Sequence, residues 1–207
     1  MSSIVTPPHS SWTHRLTRVL VRPLVGTRIR PNDLTTARLV TGLAACAAFT
    51  VGDPDWNVWG GILWLVSCLL DRADGELARI SGTTSAWGHR YDYYCDVTAN
   101  SLFFVAIGFG LRNGDLNNWA VALGLFAGLS VAAASVWSER LERASGGNDK
   151  AYVGIAGFDF DDVLYLFAPV AWFGLLPFLL VGAVVGAPII AALTWVRLIR
   201  RCERRVR

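Results

Sequence analysis

The chain has 207 residues, 53% of them hydrophobic and 17% charged, with a formal net charge of +3. A water-soluble domain carries about a quarter charged residues, so this composition argues against an ordinary soluble enzyme and for repeated membrane crossings. No nucleic-acid module is visible, because the basic residues flank apolar runs instead of forming a patch of their own.

Residues 1–11, rich in Ser and Pro, read as a disordered tail, and they lack the long apolar core of a signal peptide. Residues 12–30 follow as an amphipathic juxtamembrane helix. Trp12, Leu16, Val19 and Leu20 recur at helical spacing, with Arg15, Arg18 and Arg22 on other faces and Pro23 as the stop. Residues 31–198 form the main domain. Apolar runs predict spans over 34–51, 57–80, 91–111, 118–138, 161–176 and 178–198, the last two broken by a turn at Pro177. Residues 199–207 are a basic cytoplasmic tail. The expected fold is thus an all-α integral membrane protein, a six-helix transmembrane bundle with an N-terminal interfacial amphipathic helix.

Charge sets the expected sidedness. The loops 52–57 and 112–118 and the turn at Pro177 hold a single basic residue, Arg112. The remaining arginines, from Arg15 to Arg38, then Arg72, Arg79, Arg90, Arg140, Arg143 and the tail, fall at the opposite end together with Lys150. The positive-inside rule then places both termini in the cytoplasm, as in a multi-pass protein of a bacterial-type inner membrane. Trp56, Trp59 and Trp119 would line the outer interface, and Trp12, Trp87 and Trp137 the inner one. The four cysteines, Cys46, Cys68, Cys95 and Cys202, have neither finger nor redox spacing and read as reduced packing or surface residues.

The stretch "DRADGELARISGTTSAWGHRYDYYCD", residues 71–96, carries the chemistry. Asp71 and Asp74 are three apart and share a helix face; Asp92 and Asp96 are four apart and share another. The short connection between them suits an antiparallel helical hairpin that brings both pairs to the cytoplasmic mouth. Four carboxylates in so small a volume would protonate in part unless cations balanced them. One or two divalent ions held by oxygen alone suggest Mg²⁺ or Mn²⁺, a clamp suited to phosphoryl chemistry. Gly75 and Ala78 would open a groove beside that site, Gly88 would open the facing helix, and Arg79 could pair with a phosphate oxygen.

Asp71, Asp74, Gly75, Ala78, Arg79, Gly88, Asp92 and Asp96 match the pattern D-x2-D-G-x2-A-R-x8-G-x3-D-x3-D, which closely resembles the signature of the CDP-alcohol phosphotransferases. "RPNDLTTAR", with Pro31, Asn32, Thr35 and Arg38, is similar to the family's P-N-x-L-T-x-x-R at the first span. The resemblance implies that Asp71, Asp74 and Asp92 ligate a divalent pair, with Asp96 beside it as general base for an acceptor hydroxyl. It implies that Gly75, Ala78 and Arg79 contact the CMP moiety, with Gly88, Asn32 and Thr35 completing the donor site. The reaction implied is transfer of a phosphatidyl group from a CDP-alcohol, CDP-diacylglycerol being the expected donor, to a small alcohol with release of CMP in phospholipid biosynthesis. A homodimer embedded in the lipid bilayer is also implied.

Arg38, Arg90, Arg140, Arg143 and Lys150 are the candidate acceptor contacts, although "SERLER" at 138–143 reads equally as a solvated helix end with internal ion pairs. Asp159, Asp161 and Asp162 read as a cap on the fifth span or a sign of a neutral acceptor. His89 reads as a solvated loop residue. "DYYCDVTAN" lacks the basic residue that many glycerophosphate and inositol-phosphate users carry after the last aspartate. Two other readings stand beside the transferase. A divalent-cation transporter would use the aspartates as an ion path, and a non-catalytic lipid-binding membrane protein would use none of them chemically.

Overall fold

In a computed structural model of the chain, which describes residues 12–144 and 160–206, seven α-helices and no strands are found among the described residues. They are α1 (Trp12–Val21), α2 (Pro31–Val51), α3 (Pro54–Ser81), α4 (Ala86–Gly110), α5 (Trp119–Ala144), α6 (Phe167–Trp172) and α7 (Leu176–Val206). The expected tail at 1–11 and the candidate Lys150 lie outside the described residues.

Local chemistry sets the boundaries. Asp33 accepts the Arg30 amide at 2.8 Å to open α2, and Gly52 closes that helix with a φ of 75°. Asp53 caps α3 by accepting the Asp55 amide, and Gly82 ends it at a φ of 66°. Ser85 caps α4 by accepting the Gly88 amide at 3.0 Å. The turn between the two aspartate pairs is therefore short and defined at both ends.

The helices at 31–51, 86–113, 119–144 and 176–203 are long and apolar enough to cross a membrane. The second expected span corresponds to α3, whose 28 residues end in the charged motif. The fifth differs from expectation. In place of a continuous helix over 161–176, a 3₁₀ stretch at Phe160–Leu166 leads into a six-residue α6. Pro169 lacks an amide hydrogen for regular helix there, and Gly174, at a φ of 70°, turns the chain. Nor is the basic tail a separate element: α7 runs unbroken through the expected end at 198 to Val206.

Helix α2 packs on α3 and α4, α4 on α5, and α5 on α7, while α6 seats on α3. Small residues let these helices converge. Gly124 lies so near α4 that a Cβ there would sit 2.6 Å from the Phe104 carbonyl oxygen, and one on Gly108 would meet Ala120 O at 2.6 Å. The core is an aromatic stack: Trp64 and Phe103 have ring centroids 4.5 Å apart, and Phe103 and Phe167 lie 4.8 Å apart. Trp64 Nε1 donates to Leu164 O at 3.0 Å and Tyr165 Oη to Cys68 O at 3.0 Å, which locks the irregular 3₁₀ stretch onto α3. At one end of the bundle Arg112 donates to Thr50 O and Phe109 O, satisfying the last carbonyls of α2 and α4. The aspartates lie at the other end.

Helix α1 lies against α3. Thr13, Thr17 and Val21 are buried against the bundle, whereas Leu16, Val19 and Leu20 are exposed. These three apolar side chains thus point away from the protein.

Candidate active site

Helix α2 packs against both α3 and α4, and the short turn after Ser81 joins the end of α3 to the start of α4, so the aspartates of both helices meet at this end of the bundle beside α2. Oxygen atoms of Asp71, Asp92 and Asp96 lie within 4.8 Å of one another, so the structure brings three of the four predicted ligands into one cluster. Asp74, one turn along from Asp71, falls outside that 4.8 Å group. Its side chain is buried and accepts a 2.5 Å hydrogen bond from the Thr35 hydroxyl of α2.

The cluster can hold a divalent cation. Asp92 Oδ1 is buried with no hydrogen-bond donor, an expensive position for a carboxylate oxygen unless a cation serves it. All the donors are carboxylate oxygens, the set that Mg²⁺ and Mn²⁺ favour. One turn along α3 from Asp71, Gly75 lies under the Arg79 guanidinium, whose Nη2 a Cβ there would meet at 3.5 Å. Ala78 is half-buried on the same helix face.

Several predicted residues occupy places that spacing did not foretell. Arg38 is buried, not open to an acceptor; its Nε lies 3.1 Å from Asp71 Oδ1 and its Nη2 reaches Asp96 Oδ1. One guanidinium thus offsets charge on two carboxylates, a use that leaves little of it for a substrate. Thr35, expected at the donor, is 2% exposed and committed to Asp74 and to the Pro31 carbonyl. Gly88 admits Asn32, whose Oδ1 would lie 3.2 Å from a Cβ at that position, so both residues serve the contact between α2 and α4. Thr36 and Tyr91 join the same helices by a 2.9 Å hydrogen bond.

The basic candidates spread out. Arg90 is exposed and reaches the Ala86 carbonyl at 3.4 Å. Arg143 pairs with Glu139 at 2.7 Å, the internal pair expected of a solvated helix end, and His89 Nε2 lies 3.5 Å from the same carboxylate. Arg140 lines a cleft of about 480 Å³ between α5 and α7 with Trp195, Leu198 and Cys202.

Sequence reading missed a second polar cluster on the opposite face of α3. Glu76, whose side chain is 2% exposed, accepts from His14 Nδ1 at 2.9 Å, Arg18 Nε at 3.0 Å and Arg79 Nη2 at 2.8 Å. Arg72 Nη1 lies 2.6 Å from His14 Nε2, and Arg72 Nη2 donates to Asp162 at 2.9 Å. Asp162 also accepts from Thr13, so it ties α1 and α3 to the segment before α6 and is no mere helix cap. Because a guanidinium only donates, His14 accepts at Nε2 and carries its proton on Nδ1. Burial, with Arg72 and Arg79 nearby, lowers the His14 pKa and favours that neutral ring.

Comparison with known proteins places this geometry. The chain matches the CDP-alcohol phosphatidyltransferase family over residues 28–199. It is 27% identical over 181 residues to an archaetidylinositol phosphate synthase of Pyrococcus horikoshii, covering 87% of this chain and 85% of the relative. Its fold is similar to that of a Mycobacterium tuberculosis phosphatidylinositol phosphate synthase solved with CDP-DAG bound, with a TM-score of 0.60 and 19% identity, over 91% of this chain and 92% of the other. The same enzyme solved with manganese and citrate gives a TM-score of 0.57 at 20% identity, over 92% and 87% of the two chains.

Proposed function

The chain belongs to the CDP-alcohol phosphatidyltransferase family, and from that premise we propose that it transfers a phosphatidyl group from CDP-diacylglycerol to a polar alcohol at the cytoplasmic face of a membrane. The observation that carries this reading is the Asp71, Asp92 and Asp96 cluster, with Gly75 one turn along α3 from Asp71 and under the Arg79 guanidinium. Family membership makes the chain a transferase of substituted phosphate groups, which sets aside the cation-transporter and lipid-binder readings.

Asp71, Asp92 and Asp96 would hold the divalent cation, one ion or a pair, with Asp74 at the edge of the set and anchored by Thr35. A bound divalent ion supplies neutralising charge to the pyrophosphate and so makes CMP a better leaving group. Gly75 and Ala78 leave the groove open for the nucleotide, and Arg79 donates to a phosphate oxygen at its rim. Asp96 takes the proton from the acceptor hydroxyl as its oxygen attacks the phosphorus bearing the lipid. The new P–O bond forms to the acceptor, and the P–O bond to CMP breaks. Arg38, which pairs with both Asp71 and Asp96, offsets their mutual repulsion and orients them rather than binding acceptor.

For the acceptor, an inositol phosphate is the first candidate. The relatives' names carry it. The six-span arrangement, inward-facing termini and a homodimer complete the proposal.

Purified protein supplied with CDP-diacylglycerol, Mn²⁺ or Mg²⁺ and a panel of alcohols tests it. CMP should appear with a matching phospholipid, identified by mass, for one acceptor and not for the rest. Conversion of glycerol phosphate, inositol or serine in place of inositol phosphate would contradict the acceptor assignment; no CMP at all would contradict the donor.

A further inference from the structure

We propose that Glu76 is a positioning residue for donor binding: anchored by α1, it fixes the Arg79 guanidinium over Gly75 and so makes the N-terminal helix part of the nucleotide site. This inference rests on the reading that Arg79 contacts the CMP portion of the donor.

The helix supplies the geometry. Arg79 is one turn beyond Gly75 and also one turn beyond Glu76, so it stands at the border between the aspartate face of α3 and the face covered by α1. An exposed pair three residues apart on a helix orders a side chain only weakly. Here the carboxylate is not exposed. Its Oε1 accepts from both His14 and Arg79, and its Oε2 accepts from Arg18, so two residues of α1 hold it before Arg79 is bound. His14 is held in turn by Arg72, and Arg72 by Asp162, which fixes α1 at a second place.

The Arg79 side chain remains 50% exposed, and the Glu76 bond occupies one of its five N–H donors. Nη1 and Nη2 lie 3.6 and 3.5 Å from the position of a Cβ on Gly75. The guanidinium therefore has its orientation set over Gly75, and its remaining donors meet no acceptor among the described residues. Preorganisation of this kind lowers the ordering cost of binding a phosphate.

The experiment uses the full chain in detergent or nanodiscs. It measures kcat, KM for CDP-diacylglycerol, KM for the acceptor and thermal unfolding for Arg79→Gln, Glu76→Gln, Arg18→Gln, Arg18→Lys and the Glu76→Gln/Arg79→Gln double variant. Glu76→Gln and Arg18→Gln are expected to raise the donor KM by about fivefold or more, with kcat and acceptor KM within about twofold. Arg18→Lys should recover part of that loss. In the double variant Glu76→Gln should add nothing to Arg79→Gln, because both act through one guanidinium. If Glu76→Gln does not fold, Arg18→Gln reads the same anchor from the α1 side. The inference is overturned if these variants lower only the unfolding temperature, or if the two effects multiply in the double variant. An unchanged donor KM in Arg79→Gln would instead remove the CMP-contact reading and the inference with it. A raised KM in Arg79→Gln alone would overturn the inference and spare the reading.

Discussion

Asp96 and Arg38 show how far residue-level reasoning reaches. The four aspartates were legible because helix geometry turns a three- or four-residue spacing into a shared face, whatever the rest of the fold does. Arg38 was not, since its partners Asp71 and Asp96 lie on two other helices and only tertiary packing brings them to it. The Glu76 cluster was hidden for the same reason, because two of its partners, His14 and Arg18, lie on α1, about sixty residues away in sequence. Two glycine roles were read only in part. Gly75 seats the Arg79 guanidinium, whereas Gly88 admits Asn32. The general-base assignment makes a direct prediction. Asp96→Asn keeps the size of the side chain but removes its ability to take a proton, so kcat should fall by about 10²-fold or more while CMP binding persists. Binding followed by nucleotide titration and turnover by CMP release separate the two, and retention of most of the turnover would exclude Asp96 as the base.

At the scale of elements, hydrophobic runs and turn residues located α2, α3, α4, α5 and α7 to within a few residues at most ends. What they missed follows from packing. Helix α5 continues beyond 138 to Ala144, because a charged end projecting from lipid into water need not stop being helical. The segment before α7 is apolar enough to suggest a span, yet Pro169 and the hydrogen bonds from Trp64 and Tyr165 leave it largely as a 3₁₀ stretch. Close packing of α4 and α5 rests on Gly108 and Gly124, which sit with their Cα atoms so near that either Cβ would meet the other at 3.0 Å. Gly124→Val should therefore force the helices apart, destabilise the protein by about 1–3 kcal/mol and lower its unfolding temperature in detergent. Substitution at Gly182, which has no neighbour within 4 Å of a Cβ, should leave that temperature nearly unchanged. Equal effects at the two sites would contradict the packing account.

For the molecule as a whole, the aspartates, Trp87 and the arginine-rich end of α7 lie at one end of the bundle, and Arg112 lies at the other. Arginine placement gave the expected sidedness from sequence alone, and thiol chemistry can test it. Cys202 is exposed, whereas Cys46, Cys68 and Cys95 are buried. A membrane-impermeant maleimide should label Cys202 in inverted vesicles and not in intact cells; labelling in intact cells would reverse the topology. The central claim is that the Asp71, Asp92 and Asp96 cluster binds the divalent cation on which CMP release depends. Its most direct measurement is CMP release from CDP-diacylglycerol in the presence of acceptor, titrated with Mn²⁺ after chelation, for the natural chain and for Asp92→Asn. The account predicts no release without metal, saturable recovery with Mn²⁺, and a loss of about 10²-fold in Asp92→Asn that added Mn²⁺ does not fully restore. Metal-independent release, or an Asp92→Asn variant with the Mn²⁺ dependence of the natural chain, would contradict it.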